Sequence, residues 1–295
     1  MTDSKPLRLT ALDAALLAGL ALGVAWLAWT AHRNLDHDWN WPLIWEYVLR
    51  VDPATGHWKA GLILQGLAAT IRLAVWTTIL ATILGTAMGL FRSGGNLFLR
   101  LTSRAYVESV RNLPPLVLVF LFYFFFSGQI LDALGVERAV RALPESMSGL
   151  LAWVLAPPGE FGRFASAVLT LALYEGAYIT EIVRAGIQSV EHGQCEAALS
   201  QGLSRWQTMR HIILPQALKR VVPPLAGQFI STIKDSAIVA VISVPELTFQ
   251  GLQLMASTFR TFEVWIVVLG MYLALCLTLS LAARRLELRL ARNGD

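Results

Sequence analysis

Charge is what this chain has least of. Only 15% of its 295 residues are Asp, Glu, Lys or Arg, where a soluble domain carries about 25%. With 55% hydrophobic residues besides, it is not composed like a water-soluble domain. Cysteine is nearly absent. Cys195 lies in a polar loop and Cys276 in an apolar segment, and these 2 thiols make no disulfide framework and read as packing residues. No Gly-x-x-x-x-Gly-Lys-Ser/Thr run occurs, so the chain does not bind ATP in the P-loop manner. His-Glu-x-x-His, Gly-x-Ser-x-Gly and Cys-x-x-Cys are missing as well, which leaves covalent chemistry without footing. No basic run is interleaved with aromatics, and that excludes nucleic acid as a partner. His32, Asp36, His37 and Asp38 stand close together, but their spacing matches no standard metal site; they read as a solvated loop.

What is present is a series of apolar blocks of about 20 residues, each long enough to cross a hydrocarbon core of about 30 Å. They run at Ala11–Thr30, Leu62–Phe91, Leu113–Ile130, Phe164–Ile187, Pro223–Leu247 and Val264–Ala283. The fold class is therefore all-α, a polytopic membrane protein with about six transmembrane helices. The first block is too long for the apolar region of a signal peptide, so it reads as an uncleaved span. Trp26 and Trp29 suit an interfacial belt at its far end. Between the first two blocks, Trp41, Ile44, Trp45 and Val48 fall at helical spacing and predict a short amphipathic helix on the outer interface. Gly19 and Gly23, and likewise Gly85 and Gly89, have the spacing that lets helices approach closely. Pro114-Pro115 must break or kink any helix through them. Residues 131–160 form a mixed polar insert, and 248–262 a short external connection, in part helical.

Positive charge agrees with the orientation that an even number of spans implies. With the N-terminus inside, the inner side holds Lys5, Arg8, Arg92, Arg100, Arg104, Arg111, Arg184, Arg205, Arg210, Lys219, Arg220, Arg284, Arg285, Arg289 and Arg292, fifteen in all. The outer side holds seven: Arg33, Arg50, Lys59, Arg138, Arg141, Arg163 and Arg260. Arg72 and Lys234 fall within the bilayer, with Arg72 free to snorkel outward. Both termini and the polar stretch 193–218 then face the cytoplasm.

That polar stretch is the unusual part of the chain. Leu199 and Leu203 lie on one face of a first short helix, which Gly202 helps to end. Ser204 and Gln207 make a capping-box signature for a second. Trp206, Met209 and Ile213 give that second helix one apolar face, and Pro215 is expected to stop it. A compact helix pair between membrane spans is built to be gripped from outside the membrane.

Ionisable residues inside a span cost about 2.5–3.5 kcal/mol at the helix centre and call for a role. The fifth block carries Lys234, Asp235 and Ser236, with Gln228 upstream; the fourth carries Glu175 beside Tyr178. These are the candidates for a solute path. Glu175 suits an ammonium or guanidinium group of a solute, or equally an ion pair with Lys234 or Arg72. Glu181–Arg184 and Glu108–Arg111 are expected to be local i, i+3 salt bridges.

Glu196-Ala197-Ala198, then Gly202, then Ile213-Leu214-Pro215 resembles the EAA loop of ABC-importer permeases. Around it, Gly66-Leu67 with Thr70-Ile71, Tyr106-Val107-Glu108 with Arg111 and Pro114-Pro115-Leu116, and the block from Ala177 to Ile187 are similar to permeases for polar amino acids. Pro223-Pro224-Leu225, Gln228-Phe229-Ile230 and Lys234-Asp235-Ser236 complete the set, in the family's order, over about residues 62–285. The resemblance implies a type I ABC-importer permease fold. Residues 1–60 would add a transmembrane helix and a periplasmic segment to a core of 61–295, with the coupling loop at about 190–220. It implies that Glu196, Ala197, Ala198, Gly202, Trp206, Ile213, Leu214 and Pro215 form an ATPase-docking surface. It also implies partners: ABC ATPase subunits that carry the ATP and Mg, a second permease subunit, and a periplasmic amino-acid-binding protein. The chain itself would hold no cofactor or metal and catalyse nothing, in the inner membrane. Departures are Glu175, where a small polar residue is expected, and Asn112-Leu113 in place of Gly-Thr. The competing class is an ion-coupled secondary transporter using Lys234, Asp235 and Glu175. It predicts internal inverted repeats, which the sequence does not show, and leaves the polar helix pair unexplained.

Overall fold

The computed structural model describes residues 10–34, 37–53 and 56–292. Lys5, Arg8 and Asp36 lie outside the described residues. By contacts the chain separates into Met1–Trp41 and Pro42–Asp295. The described residues of the first unit hold one helix, α1 (Ala11–Asn34), whose start is fixed by reciprocal bonds between Thr10 and Asp13. Its stretch Ala11–Gly23 is apolar.

The second unit opens with α2 (Trp41–Val48) and a small antiparallel hairpin, β1 (Leu49–Val51) and β2 (Trp58–Ala60). The hairpin is absent from the sequence expectation. α2 is the expected amphipathic helix, and its inner face is not on an interface: Ile44 and Val48 pack with Ile63, Leu247 and Val264. Then follow α3 (Leu62–Ser93), α4 (Leu97–Asn112), and α5 (Pro115–Leu121), which continues through a π turn into α6 (Gly128–Ala133). The insert folds as α7 (Val136–Arg141) and α8 (Glu145–Val154). Next come α9 (Phe161–Gln188), α10 (His192–Ser200), α11 (Arg205–Thr208), α12 (Leu214–Asp235), α13 (Leu247–Thr258) and α14 (Thr261–Arg292). Among the described residues, five helical stretches are long and apolar enough to cross a membrane: 62–93, 115–133, 161–188, 205–242 and 261–289. As expected, Pro114-Pro115 separates two helices, with Pro115 in the first turn of α5, where its missing N–H costs nothing.

α9 is the centre. Of its most apolar stretch 72% is buried, against 6% for α14. α3 runs parallel to it, and glycine makes the seam. A Cβ on Gly85 would stand 2.6 Å from Ile179 and 3.0 Å from the Gly176 carbonyl oxygen, and one on Gly89 would stand 2.7 Å from Val183. α12 runs back against α9, with Val221 and the Ala217 carbonyl over Gly186. Consequently the starts of α3, α9 and α14 share one end of the bundle with the hairpin and the insert. Arg92, Glu181 and the α10–α11 elbow share the other.

Two expectations need correction. Residues 248–262 are helical in part, as expected, but more than a connection: α13 is wedged between α3 and α14 with Leu247, Gln250, Gly251 and Leu254 buried, while Leu252, Phe259 and Phe262 stay exposed. Fully buried Glu246 sets it there. Its carboxylate accepts the N–H groups of Thr248 (2.9 Å) and Phe249 (2.7 Å) and the Tyr272 hydroxyl (2.9 Å). The Thr70 hydroxyl accepts the Leu247 N–H at 3.1 Å and faces the same carboxylate. Nor does Pro215 stop a helix. Met209–Ile213 widens into a π turn, the Leu214 N–H reaches back to Met209, and the helix continues through Pro223 and Pro224. The wider turn makes room for a ring that would clash in an unbroken α-helix.

The seam yields a paired prediction. Gly85→Val should lower the thermal midpoint of the detergent-solubilised chain by several degrees, at about 1–3 kcal/mol for overpacking. Gly149→Ala in α8 meets nothing within 4 Å and should leave the midpoint unchanged or raise it.

Candidate functional site

The elbow is locally determined. At the end of α10 the Leu203 N–H reaches the Ala198 carbonyl (3.1 Å) and the Gly202 N–H the Leu199 carbonyl (2.9 Å). Those are the two bonds of a Schellman cap. Gly202 sits at φ +86° with nothing within 4 Å of a would-be Cβ, so the backbone conformation alone selects glycine. Ser204 Oγ then accepts the Gln207 N–H, and the Gln207 side chain accepts the Ser204 N–H, completing the expected capping box. Two stops with two residues between them make a stiff corner.

What the corner presents is the useful point. Trp206 is 68% exposed and Leu199 48%. Glu196 and Ala197 are exposed beside them, with Glu196 Oε1 on the His192 ring at 3.0 Å. Ala198 is buried, and Met209 and Ile213 turn inward onto Ile187, Val190 and Ala217. The sequence grouped Trp206 with Met209 and Ile213 on one face; the π turn separates them. Leu214 is half-buried and Pro215 exposed.

Inside the span, Glu175 is fully buried. Its Oε2 accepts the Gln228 amide at 2.5 Å, and Asp235 and Thr232 of α12 lie against the same carboxyl. Its Oε1 accepts nothing among the described residues. The structure thus brings Glu175, Gln228 and Asp235 together and leaves Lys234 exposed. Neither pairing expected for Glu175 is made, because Arg72 points instead at α8. The Tyr178 and Tyr174 hydroxyls meet at 3.2 Å, and the Arg111 guanidinium lies 5.2 Å from the centre of the Tyr178 ring. Ser236 turns its buried hydroxyl back to the Ile233 carbonyl (2.7 Å), away from this group.

Below Tyr178, towards the elbow end, a cleft of about 410 Å³ is lined by Arg92, Glu108, Arg111, Asn112 and Glu181. Glu181 pairs with Arg184 as expected, and also with Arg92. Glu108 pairs with Arg104 at i, i+4 (2.6 Å), not with Arg111, which the tyrosine ring has taken. Sequence reasoning missed Arg92, Thr232 and Glu246. A glutamate after Pro245 and before an apolar helix is an N-cap signal that could have exposed the last.

Residues 81–292 match the family model described as binding-protein-dependent transport system inner membrane component. The chain belongs to that family. This transport component is 35% identical over 229 residues to the glutamine transport system permease protein GlnP of Escherichia coli (strain K12), covering 78% of this chain and 93% of that one. It is 37% identical over 211 residues to the probable glutamine ABC transporter permease protein GlnM of Bacillus subtilis (strain 168), covering 72% and 85%. A solved amino acid ABC transporter with histidines superimposes with a TM-score of 0.62 at 32% identity, over 77% of this chain and 94% of that one. The MetNI methionine ABC transporter, at 18% identity and a TM-score of 0.58, shares the fold. The matched region takes in the elbow, Glu175 and Lys234. The chain is a multi-pass inner-membrane permease, and its elbow occupies the segment that resembled the EAA loop.

The cap is testable by itself. Gly202→Val forces a β-branched residue into the left-handed region at about 1–2 kcal/mol, and Ser204→Ala removes the box at about 0.5–2 kcal/mol. Each should raise protease cleavage within 200–208 severalfold, with the thermal midpoint of the spans unchanged within a few degrees.

Proposed function

We propose that this permease is the translocation subunit of an ATP-driven importer of amino acids. It works with a second permease copy, two ATPase subunits seated on the elbows and an amino-acid-binding protein at the opposite end. On this reading the elbow and both termini are cytoplasmic, as the fifteen-to-seven charge bias favours. ATP and Mg belong to the partner ATPases, and this chain supplies none of the chemistry of hydrolysis.

The observation that carries the reading is the elbow. A membrane protein has no evident use for a doubly capped, rigid corner that displays Trp206 and Leu199 to water unless a partner covers them. The corner is the direct continuation of α9 and the beginning of the long helix 205–242. Closing two ATPases on ATP would push both elbows, and α9 and α12 would carry that displacement to Glu175 and Gln228 as rigid rods. ATP then shifts the balance between two packings of the bundle.

Glu175, Gln228 and Asp235 are the solute-facing group in this scheme, with Tyr178 beside them. Two carboxyl groups, with one oxygen lacking a donor, suit the ammonium group of an amino acid. An unsatisfied buried acceptor costs about 1–3 kcal/mol, and an ammonium passing the site would relieve that cost. The names of the glutamine permeases in Escherichia coli and Bacillus subtilis support a polar amino acid as cargo.

Affinity purification of the tagged chain from its own membrane should bring down a P-loop ATPase, and Trp206→Ala should reduce its recovery at least tenfold. In proteoliposomes of the assembled complex, Glu175→Gln should cut ATP-driven amino-acid uptake at least tenfold with ATPase recovery unchanged. Uptake equal to the parent would remove Glu175 from the path. Normal ATPase recovery with Trp206→Ala would remove the elbow from the docking surface.

A further inference from the structure

A second polar site lies away from both the elbow and the Glu175 group. At the end of the bundle that carries the insert, α3, α8 and α13 line an open-sided cavity of about 710 Å³, within the range of small-molecule sites. Its polar part is built by Gln65, Arg72, Glu160 and Gln250, and the Gln65 amide is already spent on the Ala60 carbonyl at 2.8 Å. The Arg72 Nε donates to the Ala68 carbonyl at 3.3 Å and its Nη1 to the Ala152 carbonyl at the end of α8. A guanidinium has five N–H donors, so three of them have no acceptor among the described residues. Glu160 stands near enough to act on Arg72 electrostatically. Gln250 is 7% exposed, and its Oε1 has no donor among the described residues.

These groups ask for two things side by side. Arg72 asks for an anion; Gln250 Oε1 and Glu160 ask for N–H donors, as an ammonium supplies. The rest of the lining is apolar. Ala68, Ile71 and Val75 line the cavity along one side of α3, with Ile71 and Val75 more than a third exposed, and Trp153 is 80% exposed at the opposite wall. Arg72 lies ten residues into α3, about 15 Å along the helix from Leu62. Its side chain leans towards the helix N-terminus and is held near Glu160, the residue that precedes α9. A free amino acid would satisfy the polar half and leave the apolar wall bare.

We propose that this cavity seats an aminophospholipid, with the phosphate on Arg72, the ammonium between Glu160 and Gln250 Oε1, and an acyl chain along Ala68, Ile71 and Val75. Only the assignment to the outer leaflet rests on the orientation given above; the site itself does not. The lipid covers an intramembrane arginine and fastens the insert to α3, where Trp76 Nε1 also holds the Val154 carbonyl at 3.0 Å.

The test is native mass spectrometry of the complete complex in nanodiscs containing equal parts phosphatidylethanolamine, phosphatidylglycerol and phosphatidylcholine, released into mild detergent. Phosphatidylethanolamine should be retained at least tenfold over phosphatidylcholine, whose headgroup has no N–H. Arg72→Gln and Gln250→Leu should each reduce that retention at least tenfold. Glu160→Gln should shift retention towards phosphatidylglycerol. Arg72→Gln also frees the α8 carbonyl and can unseat the insert, so Gln250→Leu, which takes no hydrogen bond from the insert, decides the matter. Equal retention of phosphatidylethanolamine and phosphatidylcholine, unchanged retention in Gln250→Leu, or displacement of the lipid by free amino acid would each overturn the proposal. ATPase recovery is read on the same sample. Its loss with the lipid retained counts against the importer reading and leaves the lipid site standing.

Discussion

The glycine seam between α3 and α9 is the contact on which the rest of the bundle depends. In a bilayer no hydrophobic driving force pulls apolar helices together, so association rests on close van der Waals fit and polar contacts. Gly85 and Gly89 provide the fit by admitting Ile179 and Val183 almost to the backbone. Everything with a candidate role then hangs on α9: Glu175 at its middle, Arg92 and Glu181 near its end, the elbow just beyond it. Gly186 repeats the device against α12. A displacement of the elbow therefore meets two close-packed contacts before it reaches the buried carboxyl, and close-packed elements move as bodies rather than bending.

Polar groups within this bundle are mostly satisfied at short range, and the exceptions are informative. Thr170, Thr180 and Thr232 return their hydroxyls to the carbonyl four residues back. Glu246 is met by donors from α3, α13 and α14, and so fixes a wedge rather than a path. Glu175 differs: it has an amide on one oxygen and, among the described residues, no partner on the other, with a second carboxyl alongside. A group of this kind adds little to folding and gains most when a cation arrives. Gln250, at the far end of the bundle, is another incompletely satisfied side chain among the described residues, and it lines a cavity.

Much of this was legible in the residues, because the signals involved are local. Span positions follow from apolar length, and the elbow from Gly202, Ser204 and Gln207, whose bonds close within five residues. The failures have a common cause, which is that the deciding partner is remote or the period changes. Pro215 ends an ordinary helix but not one that widens into a π turn just before it. Arg111 has Glu108 at a suitable spacing and still goes to Tyr178 on another helix. Residues 248–262 are short enough to read as a connection, and only Thr70 and Tyr272, over 20 residues away in either direction, show why one face of α13 is buried. Glu175 announces itself by its rarity within a span and Gln228 is named with it, but nothing in the sequence pairs the two across 53 residues.

The central claim is that elbow movement, driven by the ATPases, changes which side of the membrane can reach the Glu175 group. A Gln228→Cys variant in a Cys195→Ser, Cys276→Ser background, assembled with its ATPases in sealed vesicles of either sidedness, tests this directly with a membrane-impermeant maleimide. Labelling should occur from the cytoplasmic side without nucleotide and from the opposite side when ATP is bound and hydrolysis is blocked. Labelling from one side alone, whatever the nucleotide, would contradict the account.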